Sequence, residues 1–299
     1  MLKSINILGY VTILFALTMW SCASGPVSEE SDEVMNEAVE ENAAANSEKI
    51  VYYGTPSLVE VASLMKASGA QFSGEVMNEL ENSQNYVEQH IKAINLGVYG
   101  ADLTYAAMFD HTQEAINYLK TVKDMAEELG LTSAFEEELI TSIESNISNR
   151  DSLLDVITDF YWSADAYLMD NDRAEVASLI ITGGWVESMY LACHMYKTNP
   201  ENQELKERIA EQKLILKNLV LFLQGSAGDD AHIVEVREKM RELSEFYNTI
   251  EITHTSGENE TNTDEGLTMI GNETEIVIDA AQLDELCNRI GELRMFFVN

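Results

Sequence analysis

An all-α bundle is the fold this sequence predicts, and three observations carry the prediction. Apolar residues recur at steps of three and four through most of residues 50–299. Capping residues and glycines punctuate these stripes at intervals of about 20–25 residues, which favours a compact bundle over a long coiled coil. Only 3 of the 299 residues are Pro, and 45% are hydrophobic, enough to bury a real core.

Taken in order, Thr55-Pro56 and Gly69 bound a short early helix. A long helix is expected around 101–129, with Tyr105, Met108, Thr112, Ala115, Leu119, Val122, Ala126 and Leu129 on one stripe and Gly130 as its stop. Ser133 with Glu136 makes a capping box for the next. Leu154, Ile157, Tyr161, Ala164 and Leu168 give a stripe over 150–170. Asp172 with Glu175 reads as another box before Val176, Leu179, Gly183, Val186, Tyr190 and Cys193. Asn199-Pro200 reads as a cap and first turn for a helix through Leu205, Ile209, Leu216, Leu219 and Leu223, ended by Gly225. Ile233, Val236, Met240, Leu243, Tyr247 and Ile250 follow. The last helix starts at the Asp279 cap with Gln282 and runs through Leu283, Leu286, Ile290, Leu293 and Phe297. The total is about nine helices in one domain over 50–299. A stack of helical hairpins is the alternative, but no repeat of tetratricopeptide type is visible.

Two polar stretches break the pattern. Residues 23–48 carry acids and no Lys or Arg, so 22–49 reads as a self-repelling flexible tether. The loop at about 256–273 is also acidic. Its flanks around 250–254 and 274–278 alternate apolar and polar residues, which predicts a small two-stranded hairpin. The loop lacks the glycine and terminal glutamate spacing of an EF-hand, so no calcium site is expected.

At the N-terminus Lys3 precedes an apolar run from Ile5 to Trp20, and Ser21-Cys22-Ala23-Ser24-Gly25 follows. A basic start, an apolar centre and small residues form a secretory signal, here residues 1–21. A cysteine directly after the apolar run resembles the lipobox of bacterial lipoproteins, with Met19 and Trp20 departing from that pattern. The resemblance implies that Cys22 is the lipid attachment site and the first residue of the processed chain. Two or three acyl chains anchor stably, whereas one binds only reversibly. Ala23, in place of Asp, implies transfer to the outer membrane of a Gram-negative cell. Glu29, Glu30, Asp32 and Glu33 resemble a surface-export signal, leaving the periplasmic and cell-surface faces both open. An uncleaved membrane anchor is the competing reading, and the apolar run is short for it.

Lys and Arg number 18 against 52 Asp and Glu, a formal net charge of -34. That field excludes nucleic acid as a partner and favours cationic ligands or basic proteins. The chain has no Gly-x-Ser-x-Gly elbow, no phosphate loop and no His-Glu-x-x-His. Glu251-x-x-His254 falls on a predicted strand, so a di-iron bundle is excluded. Asp110, His111 and Glu114 could offer metal ligands from one helical region, but an exposed polar face is the stronger reading. Asp229, Asp230 and His232 complement a helix N-terminus. No catalytic residue, metal or cofactor is assigned. Apart from Cys22, the cysteines are Cys193 and Cys287. They can bridge in an oxidising envelope or sit as buried small hydrophobes.

Two segments stand out. Asn95-Leu96-Gly97-Val98-Tyr99-Gly100-Ala101-Asp102 reads as a glycine-bearing connection between helices, and Gly183-Gly184-Trp185 lies inside a helical stripe with Glu187 beyond it. A cleft lined by Tyr99, Asp102, Trp185 and Glu187 is one reading. Close helix packing at the glycines is the stronger one. With Asn149-Arg150-Asp151, these segments resemble a group of uncharacterised helical lipoproteins of Gram-negative bacteria, and that resemblance brings no activity. The expected function is a membrane-anchored envelope lipoprotein, a non-enzymatic binding or scaffold domain for an envelope protein or a ligand. An envelope hydrolase or metal-dependent enzyme and a periplasmic small-solute binder are the alternatives.

Overall fold

A computed structural model describes residues 71–131 and 171–299, apart from 227, 229, 257–259, 263–266 and 270–271, together with isolated positions among 66–69 and 145–168. The signal, Cys22, the tether, the Thr55-Pro56 helix and the Ser133/Glu136 box lie outside the described residues. So does most of the 150–170 stripe, of which Leu154, Ile157 and Leu168 are described and buried.

The class is all-α. Seven α-helices occur among the described residues: α1 (Gln89–Met108), α2 (Thr112–Glu128), α3 (Ala174–Thr198), α4 (Gln203–Glu211), α5 (Lys213–Ser226), α6 (Ala231–Tyr247) and α7 (Ala280–Val298). Two 3₁₀ turns, Gly74–Val76 and Leu80–Asn85, lie in the segment before α1. The backbone between α6 and α7 forms short strands. β1 (Glu251–Ser256) pairs antiparallel with β4 (Asn272–Val277), and β2 (Glu260–Asn262) with β3 (Leu267–Met269).

α1 and α3 form the centre. Both are buried around most of their circumference, as expected of helices apolar on every side. α3 is the one helix among the described residues long and apolar enough to cross a membrane, yet 78% of its most apolar window is buried inside the protein. The two helices cross where Gly97 faces Gly183. A methyl group on Gly183 would overlap the carbonyl of Ile94, and one on Gly97 would overlap the carbonyl of Ile180. Glycine is required here so that two backbones can approach within contact. The 95–102 segment is therefore the middle of α1, not a connection between helices. α2 packs on α1, α4, α5 and α7 pack on α3, and α6 packs on α5 and α7.

Several helix boundaries differ from the sequence expectation. The helix expected over 101–129 is two, α1 and α2, because Asp110 takes a left-handed backbone (φ 62°). The N–H of His111 then bonds the carbonyl of Ala106 at 2.9 Å and that of Asp110 bonds Ala107 at 3.1 Å, which satisfies orphan carbonyls at the end of α1. Gly130 (φ 70°) stops α2 by the same device, with Leu131 N–H on Ala126 at 2.9 Å. Asp172 (φ 56°) likewise ends the stretch before α3, with Arg173 N–H on Leu168 at 2.8 Å. Asp172 is thus a C-terminal stop; α3 has Arg173 at its N-cap and no side-chain cap. Asn199 closes α3, and the cap of α4 is Asn202, whose side chain accepts from Leu205 N–H at 3.0 Å. The single helix expected over 205–223 is interrupted at Gln212, and its second part passes Gly225 to Ser226. The Asp279/Gln282 capping box opens α7 as expected. Asp230 caps α6, accepting from His232 N–H at 2.8 Å.

Candidate functional site

Asp102 sits on α1, Glu187 on α3 and Arg294 on α7, and the three meet in the core. Both carboxyl groups are at 0% exposure and Arg294 is at 8%. Arg294 Nε donates to Glu187 Oε2 at 3.0 Å, and its Nη2 donates to Glu187 Oε1 at 3.4 Å, a two-pronged pair. The same Nη2 reaches the Val76 carbonyl at 3.5 Å, and the guanidinium lies over the Tyr190 ring at 4.8 Å. Asp102 Oδ2 accepts the Asn78 N–H at 3.0 Å. Its Oδ1 meets no donor among the described residues, and the carboxyl is in hydrogen-bonding contact with Glu187.

Tyrosine hydroxyls surround this cluster and bind backbone. Tyr99 donates to the Glu79 carbonyl at 2.7 Å, Tyr118 to the Asn78 carbonyl at 2.7 Å and Tyr86 to the Val298 carbonyl at 3.1 Å. Tyr105 accepts the Ser73 N–H at 2.9 Å, and Asn78 Nδ2 donates to the Tyr86 hydroxyl at 3.0 Å. Asn95 donates to the Phe297 carbonyl at 2.7 Å, so side chains satisfy the orphan carbonyls that end α7. The segment Ser73–Tyr86 is thereby strapped across α1, α2 and α7 by side chain to main chain bonds.

The electrostatics follow from burial. Loss of water raises the Asp102 carboxyl well above the usual carboxylate range, and the neighbouring Glu187 charge raises it further. Burial also raises Glu187, but Arg294 opposes the shift by charge and by hydrogen bond. Burial alone would lower Arg294; the Glu187 charge outweighs it, and the guanidinium is held above its ordinary value. Tyr99 and Tyr118 are raised, chiefly by burial, with Asp102 adding to the effect. The arrangement therefore favours the protonated form of Asp102 beside a Glu187–Arg294 ion pair. A carboxylic acid next to a carboxylate can hold and pass a proton, but here both are sealed from solvent.

Of the four residues expected to line a cleft, the fold brings Asp102 and Glu187 together and sets Tyr99 beside the Ser73–Tyr86 strap. Trp185 faces elsewhere: its Nε1 donates to Gln212 Oε1 at 3.3 Å, and its ring lies 6.4 Å from that of Tyr247. All four are buried, so they form a closed polar core and a tryptophan contact, not an open cleft. At the Gly97–Gly183 crossing the backbones of α1 and α3 are in direct contact. Sequence reading missed Arg294, Asn78, Tyr86 and Tyr118. Arg294 alone left a signal, as a basic residue in the otherwise apolar last turns of α7.

Cys193 on α3 and Cys287 on α7 are joined as a disulfide with Cα atoms 5.4 Å apart. Glu187–Arg294 and Cys193–Cys287 form two rungs between the same antiparallel pair of helices. His90 and His232 lie edge to face with ring centroids 4.9 Å apart, and His111 Nδ1 is 3.7 Å from Glu114 while its ring stacks on Phe72. No group of three metal-ligating side chains is placed around a common point among the described residues. In comparisons with known proteins, no family model, no curated protein and no solved structure matches the chain.

Proposed function

We propose that the protein is a lipid-anchored envelope lipoprotein whose helical domain acts as a non-enzymatic scaffold or binding body. It hangs from the outer membrane through Cys22 and an acidic tether, on the periplasmic or the cell-surface face. One observation carries the non-enzymatic part. Among the described residues, the charged cluster at Asp102, Glu187 and Arg294 spends its hydrogen bonds on the protein itself, and both carboxyl groups are fully buried. The Cys193–Cys287 bond supports the export reading, because disulfides persist in oxidising compartments and are rare in reducing ones. Nine helices over 50–299, and a hairpin presenting an acidic tip at 256–273, belong to the same reading. A partner suited to a net charge of -34 is a basic envelope protein.

Four experiments test it. Intact-mass analysis of the membrane-extracted protein is expected to show a chain that begins at an acylated Cys22. A Cys22→Ser protein that still fractionates with the outer membrane would sink the anchor. Crosslinking in intact cells, followed by capture, is expected to return a basic envelope protein whose yield falls at high salt. Substrate turnover by the purified full chain in an envelope hydrolase screen would replace the scaffold with the enzyme reading.

A further inference from the structure

Two buried carboxyl groups share one buried cation, and one carboxyl oxygen, Asp102 Oδ1, lacks a donor. Arg294 commits both its Nε and its Nη2 to Glu187, and its charge only partly offsets that of Asp102, so one cation serves two buried acids. A proton on Asp102, directed to Glu187, removes the excess charge and satisfies the orphan oxygen in one step. The other oxygen of Asp102 grips the Asn78 N–H in the strap.

We propose that this proton is a latch: while Asp102 keeps it, the Ser73–Tyr86 strap stays docked, and when Asp102 ionises the strap lifts before the rest of the domain opens. An Asp102 that ionises while Glu187 is also charged must reach water, and the elements around it differ in how easily they yield. The α1–α3 crossing is locked by backbone contact at Gly97 and Gly183, and α3 is tied to α7 through Cys193–Cys287. The strap has only two 3₁₀ turns and is held by separate side chain to main chain bonds and by the burial of Val76, Met77 and Tyr86. Such bonds open locally at less cost than a packed helix. The groups that face Asp102 are Tyr99 and Tyr105 from α1 itself, Tyr118 from α2, Glu187 from α3, Arg294 from α7 and Asn78 from the strap; Tyr190 of α3 and Tyr86 and Glu81 of the strap act on these neighbours. Arg294 is the one cation in this set, and it is already engaged.

The test is amide hydrogen exchange on the full acylated chain in detergent, followed by mass spectrometry from about pH 7 to about pH 10 and corrected for intrinsic exchange. Peptides covering 73–86 are expected to gain up to about tenfold in opening per pH unit in the wild type, while α3 peptides do not change. Asp102→Asn keeps the shape, cannot ionise, and is expected to give a flat profile. Glu187→Gln leaves Asp102 as the sole carboxylate for Arg294, and its strap is expected to stay closed across the range. In the infrared, wild-type protein at mildly alkaline pH is expected to show a protonated carboxyl band that Asp102→Asn removes. The same rise in wild type and Asp102→Asn, a Glu187→Gln strap that still opens steeply, or a wild type without that band would each overturn the latch.

Discussion

Arg241 and Arg294 each face two carboxylates, one set in water and one in the core. On the exposed face of α6, Arg241 pairs with Glu238 and with Glu245. There Glu238 is held below its ordinary value, first by its hydrogen bond to Arg241. In the core Arg294 satisfies Glu187 alone, and Asp102 shifts the other way because it has lost water. The residue types are nearly the same, so the environment sets the protonation state. Water screens the surplus charge on α6, whereas a dry core can remove it only with a proton.

The comparison breaks most readily at the buried arginine. Arg294→Leu leaves the Glu187 charge unpaired in the core and is expected to cost about 3–5 kcal/mol in urea unfolding of the full chain. Removing the second rung between α3 and α7 with Cys193→Ala and Cys287→Ala is expected to cost about 2–4 kcal/mol. Because Glu187–Arg294 joins the same helices, a double-mutant cycle should show coupling; strict additivity would mean that the rungs act independently. Gly183→Ala forces α1 and α3 apart at the crossing that seals the cluster. About 1–3 kcal/mol is expected from overpacking, with the higher values favoured because the overlap is with backbone.

Smaller effects sharpen the contrast. The folded-state value of Asp102 lies above its unfolded value, so its contribution is fully present below the ordinary carboxylate range. As pH rises from there towards the folded value, the unfolded chain ionises first, and stability falls by up to about 1.4 kcal/mol per pH unit. Asp102→Asn lacks that loss and should overtake the wild type in denaturant midpoint on the alkaline side. A variant weaker than wild type at every pH would contradict the neutral acid. At the exposed site, Arg241→Ala is expected to leave Tm unchanged in moderate salt, since surface pairs contribute little. A clear loss there would show that the α6 pairs matter structurally.

How much was legible depends on whether a residue's role is local. The Asp279/Gln282 box and the Gly130 stop are read from a few consecutive residues, because the backbone partners lie within one turn. The stops at Asp110 and Asp172 use the same hydrogen bonds as Gly130, but Asp enters the left-handed region far less often than Gly, so sequence pattern passed over the first and read the second as a cap. Gly183 was legible as a close-contact residue, and its partner Gly97, read as part of a connection, was not.

The sequence by itself determined the helical class, because apolar periodicity is an intrinsic property of each segment. It also determined the surplus of negative charge. It placed Asp102 and Glu187 among the residues of interest, since each acid lies close to a pair of glycines and an aromatic residue. Only the tertiary structure decided that Arg294, 107 residues beyond Glu187, would pair with it, that Cys193 would meet Cys287, and that Tyr86, Tyr99 and Tyr118 would hold the strap. The physical reason is that burial and pairing belong to the packed arrangement of distant helices. A carboxyl group cannot be assigned its charge until the water around it has been counted.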